Sequence, residues 1–218
     1  MDQYEKQFMF GDPVPLASIE GAKDNSFFLV WSYSKKVADN RKKACCTMDG
    51  SARGGNVRIL GRTYANCADH TGSRIFYASA AAENLVIFGS DVSNAFGEAP
   101  APKQGAFLYP DRAFHQWWKH HKKRPPIPPG YVIPVQKAMQ GHPESPRLWE
   151  KFIDGILKDI GLVPTVHEPC LDHGTIDGKR ILFLHQVDYF ACAAPDQHNL
   201  DLLLDIIDDR LSMPIKRS

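Results

Sequence analysis

The sequence has almost no excess of charge: 26 Lys and Arg stand against 25 Asp and Glu, a net of +1. That excludes a chain whose whole surface seeks polyanions, so any nucleic-acid site has to be a local patch. Long apolar runs are missing too. No stretch approaches the about 18 consecutive apolar residues of a membrane helix, and the segment Met1 to Phe10 is polar where a signal peptide needs an apolar run. A soluble, intracellular chain is expected. The cysteines number five, an odd count that includes the adjacent pair Cys45 and Cys46, which excludes a disulfide framework and predicts free thiols. Cys45, Cys46, Cys67 and His70 match no standard zinc spacing. There is no internal repeat, and the lack of a glycine-rich phosphate loop and of a Gly-x-Ser-x-Gly elbow argues against Rossmann, P-loop and serine-hydrolase readings.

What is present is ordinary globular material, 43% hydrophobic and 23% charged over 218 residues, enough to bury one or two cores. Phe27 to Trp31 reads as a strand. A basic stretch from Lys35 to Lys43 and a turn-rich run from Asp49 to Gly55 follow, giving a β-rich lobe with a mobile basic loop. A helix starts near Thr71 or Ser73, with Ile75, Ala78 and Ala82 at helical spacing. Leu85 to Phe88 is apolar throughout and reads as a buried strand leading into Asp91. Prolines cluster from Ala99 to Pro134, a connecting excursion with one short helix around Phe114 to Trp118. Ser145 and Pro146 offer an N-cap and a first-turn proline to a helix whose apolar stripe runs from Trp149 to Ile160 and stops before Gly161. Ile181 to Val187 is a strand with Asp188 directly behind it. A last helix covers about Gln197 to Leu211. Mixed α+β architecture is the expectation.

Two aspartates, Asp91 and Asp188, thus each follow an apolar strand. Neighbouring strands of one sheet would bring their carboxylates to one edge, where they suit a hard divalent cation and phosphoryl transfer. The pattern alone favours the plainer reading, in which each caps a helix or a turn. The run Trp117 to Arg124 also admits two readings: phosphate contacts with bases stacked on the tryptophans, or a solvated helix end with both tryptophans packed inside.

Several segments in order resemble copia-type retrotransposon reverse transcriptases. Gly89-Ser90-Asp91-Val92-Ser93-Asn94-Ala95-Phe96 is similar to the family's Asp-Val-Lys-Asn-Ala-Phe motif. Lys137-Ala138-Met139-Gln140-Gly141-His142-Pro143-Glu144-Ser145-Pro146-Arg147-Leu148-Trp149 resembles Lys-Ala-Leu-Tyr-Gly-Leu-Lys-Gln-Ala-Pro-Arg-Ala-Trp. Glu168-Pro169-Cys170-Leu171 resembles Asp-Pro-Ser-Leu, and Gln186-Val187-Asp188-Tyr189 falls where the family has Tyr-Val-Asp-Asp. The resemblance implies an RNA-directed DNA polymerase: a palm, an antiparallel sheet with helices on one face, over residues 85–218, with 97–134 a proline-rich insertion, and β-rich fingers over 1–84. It implies Asp91 and Asp188 as catalytic ligands of magnesium or manganese, and Val92 as backbone presented to the triphosphate. Phe96 becomes the ring that leaves no room for a ribose 2′-hydroxyl. Gly141 and Pro146 shape the nucleotide and template pocket, and Lys43 is a candidate triphosphate contact. The partners implied are an RNA or DNA template with primer, and dNTP; the compartments are cytoplasm, virus-like particle or nucleus, with no membrane.

The departures fall where the chemistry is most demanding. Tyr189 stands in place of the third carboxylate, and a phenol of pKa about 10 is neutral at pH 7 and is no substitute for an anionic ligand. Cys45 replaces an arginine after Lys43 and Ala44, and Glu144 replaces a glutamine. The chain stops soon after the Asp188 strand, so thumb, connection and RNase H regions are expected to be missing. The expectation is a fragment with impaired polymerase activity or a non-catalytic nucleic-acid-binding remnant.

Overall fold

The computed structural model describes residues 2–21, 23–35, 40, 42–51, 63–120 and 123–217. Much of the expected basic loop (36–39 and 41), part of the turn-rich run (52–55), and His121 and Lys122 of the basic run lie outside the described residues. In chain order the elements are α1 (Asp2–Lys6), β1 (Val14–Pro15), β2 (Ser26–Phe27), β3 (Leu29–Lys35), β4 (Lys42–Met48), α2 (His70–Ala82), β5 (Val86–Val92) and β6 (Phe107–Leu108). Then come α3 (Arg112–His120), β7 (Tyr131–Pro134), α4 (Ser145–Asp159), β8 (Val163–Pro164), β9 (Leu171–Ile176), β10 (Lys179–Gln186), β11 (Tyr189–Ala194), α5 (Gln197–Asp208) and β12 (Ile215–Arg217). The architecture is mixed α+β, as expected. No described helix is long and apolar enough to cross a membrane.

The chain forms two compact units, Met1–Thr63 with Ala99–Leu148, and Tyr64–Glu98 with Trp149–Ser218. In the first, β1, β7, β6 and β2 make a four-stranded sheet in that order, and β3 and β4 form a separate two-stranded ribbon. The proline-rich stretch supplies β6, α3 and β7, so it builds the lobe. Helix α3 forms because Phe114, Trp117 and Trp118 fall on one face and are buried, and Asp111 caps it by accepting from the Phe114 N–H at 2.7 Å. The other Asp111 oxygen accepts from the Trp31 indole at 2.6 Å. Around them pack Met9, Phe27, Leu108, Ile133 and Met139.

The second unit is a six-stranded sheet in the order β12, β5, β11, β10, β9, β8, antiparallel at every pairing. Five consecutive residues of β10, Ile181 to His185, are buried, so both faces of this strand are covered. On one face Phe76 and Ala80 of α2 pack against Leu182, Leu184 and Ala193. On the other, Trp149 of α4 stacks on Phe190 with ring centroids 6.4 Å apart, and α5 buries Leu200, Leu203, Leu204 and Ile207. Helices therefore lie on both faces, which corrects the expectation of one.

Other details also depart from expectation. The buried face of α2 is Gly72, Phe76 and Ala80, while Ile75 is 48% exposed. Strand β5 is not buried throughout, since Val86 and Ile87 are about two-fifths exposed. The reason is register: β12 pairs only with Ser90, Asp91 and Val92, so the start of β5 is a sheet edge. Ser145 does not act as the N-cap: it is the first residue of α4 and its hydroxyl donates to the Met139 carbonyl at 2.7 Å. Helix α5 stops at Asp208, short of Leu211.

Candidate functional site

Asp91 is the sixth residue of β5, one before its end, with cross-strand neighbours on both sides. Tyr189 of β11 faces it on one side and Lys216 of β12 on the other. Directly opposed residues share a face, so phenol, carboxylate and ammonium form a row. Strand alternation turns Ser90 and Val92 inward, both buried, and leaves Asp91 half-buried. Lys216 Nζ donates to Asp91 Oδ1 at 3.2 Å, with side chains 67% and 31% exposed.

Asp188 reaches the same corner from a hairpin. Gln186 and Tyr189 pair across β10 and β11, leaving Val187 and Asp188 as a two-residue turn. Val187 has φ 56° and Asp188 is not among the positive-φ residues, the signature of a type II′ turn, whose first position favours glycine. A β-branched residue there is a conformational outlier. Two bonds hold it: the Trp149 indole donates to the Val187 carbonyl at 2.6 Å, and the Val92 amide donates to the Asp188 carbonyl at 2.8 Å. Val92, whose backbone is expected to be presented to a triphosphate, thus has its N–H engaged with the hairpin. Phe96 sits half-buried in a 3-10 turn, Ala95–Glu98. That turn follows Asn94, whose φ is 53°.

The structure therefore brings Asp91, Asp188, Val92 and Tyr189 to one corner of the second unit. Asp91 and Asp188 are the groups able to hold a cation, and their chemistry suits one hard ion completed by water and phosphate oxygens. They do not suit two, because Tyr189 adds no charge. Among the described residues no group of three or more His, Cys, Asp or Glu is placed to hold a metal.

Lys43, Gly141 and Pro146 belong to the first unit. Lys43 lies in β4 opposite Ser34, exposed, in a strand instead of the expected loop. Gly141 has φ +92°, and a Cβ there would meet the Met48 carbonyl oxygen at 2.0 Å. Packing against β4 is enough to require glycine. Pro146 is in the first turn of α4, half-buried. In the basic run, Trp117 and Trp118 are buried, with Arg124 over the Trp118 ring at 4.4 Å. Both rings are therefore core, not stacking platforms. All five cysteines are free; burial pushes the Cys46 and Cys170 thiols up to about 12, far from thiolate reactivity.

Three features of the second unit were not legible in the sequence. Lys216 is an unremarkable basic residue until strand register sets it beside Asp91. Glu98, 2% exposed, accepts from the Ser212 N–H at 2.7 Å and the Met213 N–H at 3.1 Å, a contact between distant segments. His185 and Asp172 are buried with Nε2 and Oδ2 3.6 Å apart, and neither atom has a hydrogen-bond partner among the described residues. Burial pushes the Asp172 carboxyl up to about 7, helped by Asp154. Burial also drives His185 down to about 4, against the opposing pull of Glu150 and Glu168.

No protein-family model matches this chain, and no curated protein matches it.

Proposed function

We propose that the second unit is a polymerase palm of copia-type reverse-transcriptase descent, in which template-directed DNA synthesis is impaired by loss of one carboxylate. The observation that supports it is the convergence of Asp91 and Asp188, 97 residues apart in sequence by their numbers, at one corner. An antiparallel hairpin tip whose Asp188 carbonyl accepts from the Val92 amide brings them together. Strand β5 with the turn after it, and the Val187–Asp188 turn, carry two of the segments that resemble the family's motifs.

In this reading the substrates are a primed RNA or DNA template and a dNTP. Asp91 and Asp188 would hold one magnesium or manganese ion, which when bound supplies charge neutralisation at the reacting phosphate. Asp188 is aimed by its turn, and Trp149 and Val92 fix that turn. Phe96 is the ring that excludes a 2′-hydroxyl. Tyr189, 63% exposed and opposite Asp91, contributes no negative charge.

Single-nucleotide incorporation on a primed template tests this. Weak magnesium-dependent incorporation is expected, and it should be lost in both Asp91→Asn and Asp188→Asn. Incorporation that persists in either variant, or robust incorporation by the unaltered chain, would contradict the proposal.

One observation favours a second reading, a non-catalytic nucleic-acid-binding remnant. On the β3 and β4 ribbon Trp31 and Tyr33 stack in parallel, Tyr33 is 72% exposed, and Lys35 pairs with Lys42 at the ribbon's end. An exposed ring beside lysines is what a single strand stacks on. Salt-dependent oligonucleotide affinity that survives Asp91→Ala and disappears in Tyr33→Ala would select this reading.

A further inference from the structure

Asp91 already has a cation. The ammonium of Lys216 lies 3.2 Å from its Oδ1, delivered by a strand whose register admits no other residue opposite Asp91. That strand is anchored along its length. Glu98 accepts from Ser212 and Met213 just before it, Asp208 accepts from the Ile215 N–H at 2.6 Å, and Arg217 pairs with Asp201 and Asp205 of α5. The backbone of Lys216 is therefore fixed beside Asp91, and only its side chain is free to swing.

We infer that Lys216 is the resident counter-ion of Asp91 and competes with a divalent cation for that carboxylate, so that this corner takes up metal weakly. The inference rests on the palm reading above and deepens it. Charge makes the case. Asp91 and Asp188 carry two negative charges and Lys216 returns one positive charge, while Tyr189 adds none, so the corner nets a single negative charge. A divalent ion has to displace the ammonium or sit beside it. Displacement is not prohibitive, because an exposed pair of this kind is weak. Repulsion between a double and a single positive charge about 5 Å apart, even in water, corresponds to about tenfold in affinity.

The test is manganese binding to the full chain, followed by the electron paramagnetic resonance signal of the free ion. It compares the unaltered protein, Lys216→Met, Lys216→Arg, and Lys216→Met combined with Asp188→Asn. Lys216→Met should bind about tenfold more tightly, Lys216→Arg no more tightly than the unaltered chain, and the double variant should lose the gain. Lys216 is largely exposed, and circular dichroism checks that each variant folds. Equal affinities for Lys216→Met and the unaltered chain would overturn the inference and leave the palm reading standing. No manganese bound by any variant would overturn both.

Discussion

Asp172 and His185 put opposite demands on pH. Asp172 sits near 7 when folded, above its unfolded value near 4, so its contribution is present at low pH and is lost as pH rises toward 7. His185 sits near 4 when folded, below its unfolded value near 6.5, so its contribution is present above 6.5 and is lost as pH falls toward 4. Between about 4 and 6.5 the folded pair holds its proton on Asp172 and the unfolded pair holds it on His185, and the two slopes cancel. Single substitutions break the cancellation. Relative to the unaltered chain, Asp172→Asn should lose stability as pH falls from 6.5 to 4, and His185→Gln should lose stability as pH rises from 4 to 7. Urea midpoints measured across that range check both signs, and matching slopes in the two variants would refute the assignment. None of this was legible in the sequence, because the cause is the burial of one polar residue on each of two paired strands, which packing decides. Asp91 and Asp188 were legible, since each follows an apolar run. Lys216 was not: its role depends on which residue β12 sets opposite Asp91, and register is not local.

At the scale of elements, the β10 and β11 hairpin carries a testable strain. A left-handed valine costs about 1–3 kcal/mol, and glycine costs about 0.5–1 kcal/mol in backbone entropy. Val187→Gly should therefore raise stability by about 1 kcal/mol; a lower urea midpoint would show that the valine side chain matters more than its backbone angle. Trp149→Phe removes the indole bond to the Val187 carbonyl and should cost about 1–2 kcal/mol. Helix α4 was readable because Pro146 opens it, an apolar stripe runs through it, and Gly161 beyond it has φ +86°, suited to a helix end. Helix α2 was readable as a helix but not in its orientation. Ile75 looks like a core residue, yet the sheet takes Gly72, Phe76 and Ala80, because Glu168 packs against α2 where only glycine fits. A Cβ on Gly72 would lie 2.4 Å from Glu168 Oε2, so Gly72→Ala should destabilise by about 1–3 kcal/mol, read as a drop in thermal midpoint.

At the scale of the whole molecule, each compact unit is assembled from two separated stretches of chain. Sequence order offers no sign of this, because compactness follows contacts such as β1 with β7 and β5 with β11. Composition still set the class: a chain with net charge +1 has no global field to gather nucleic acid, so function has to be sought in one corner. That corner has two carboxylates, a phenol opposite the first and an ammonium on its other side; in the proposed reading they are what remains of a metal-dependent polymerase site. The measurement that tests this most directly is primer extension on an RNA template with magnesium and dNTPs, run on the unaltered chain and on Tyr189→Asp side by side. Tyr189→Asp is expected to extend the primer about a hundredfold faster, the order of effect of one charge-stabilising group at a reacting centre. Equal rates for the two proteins, whether both extend or neither does, would contradict it.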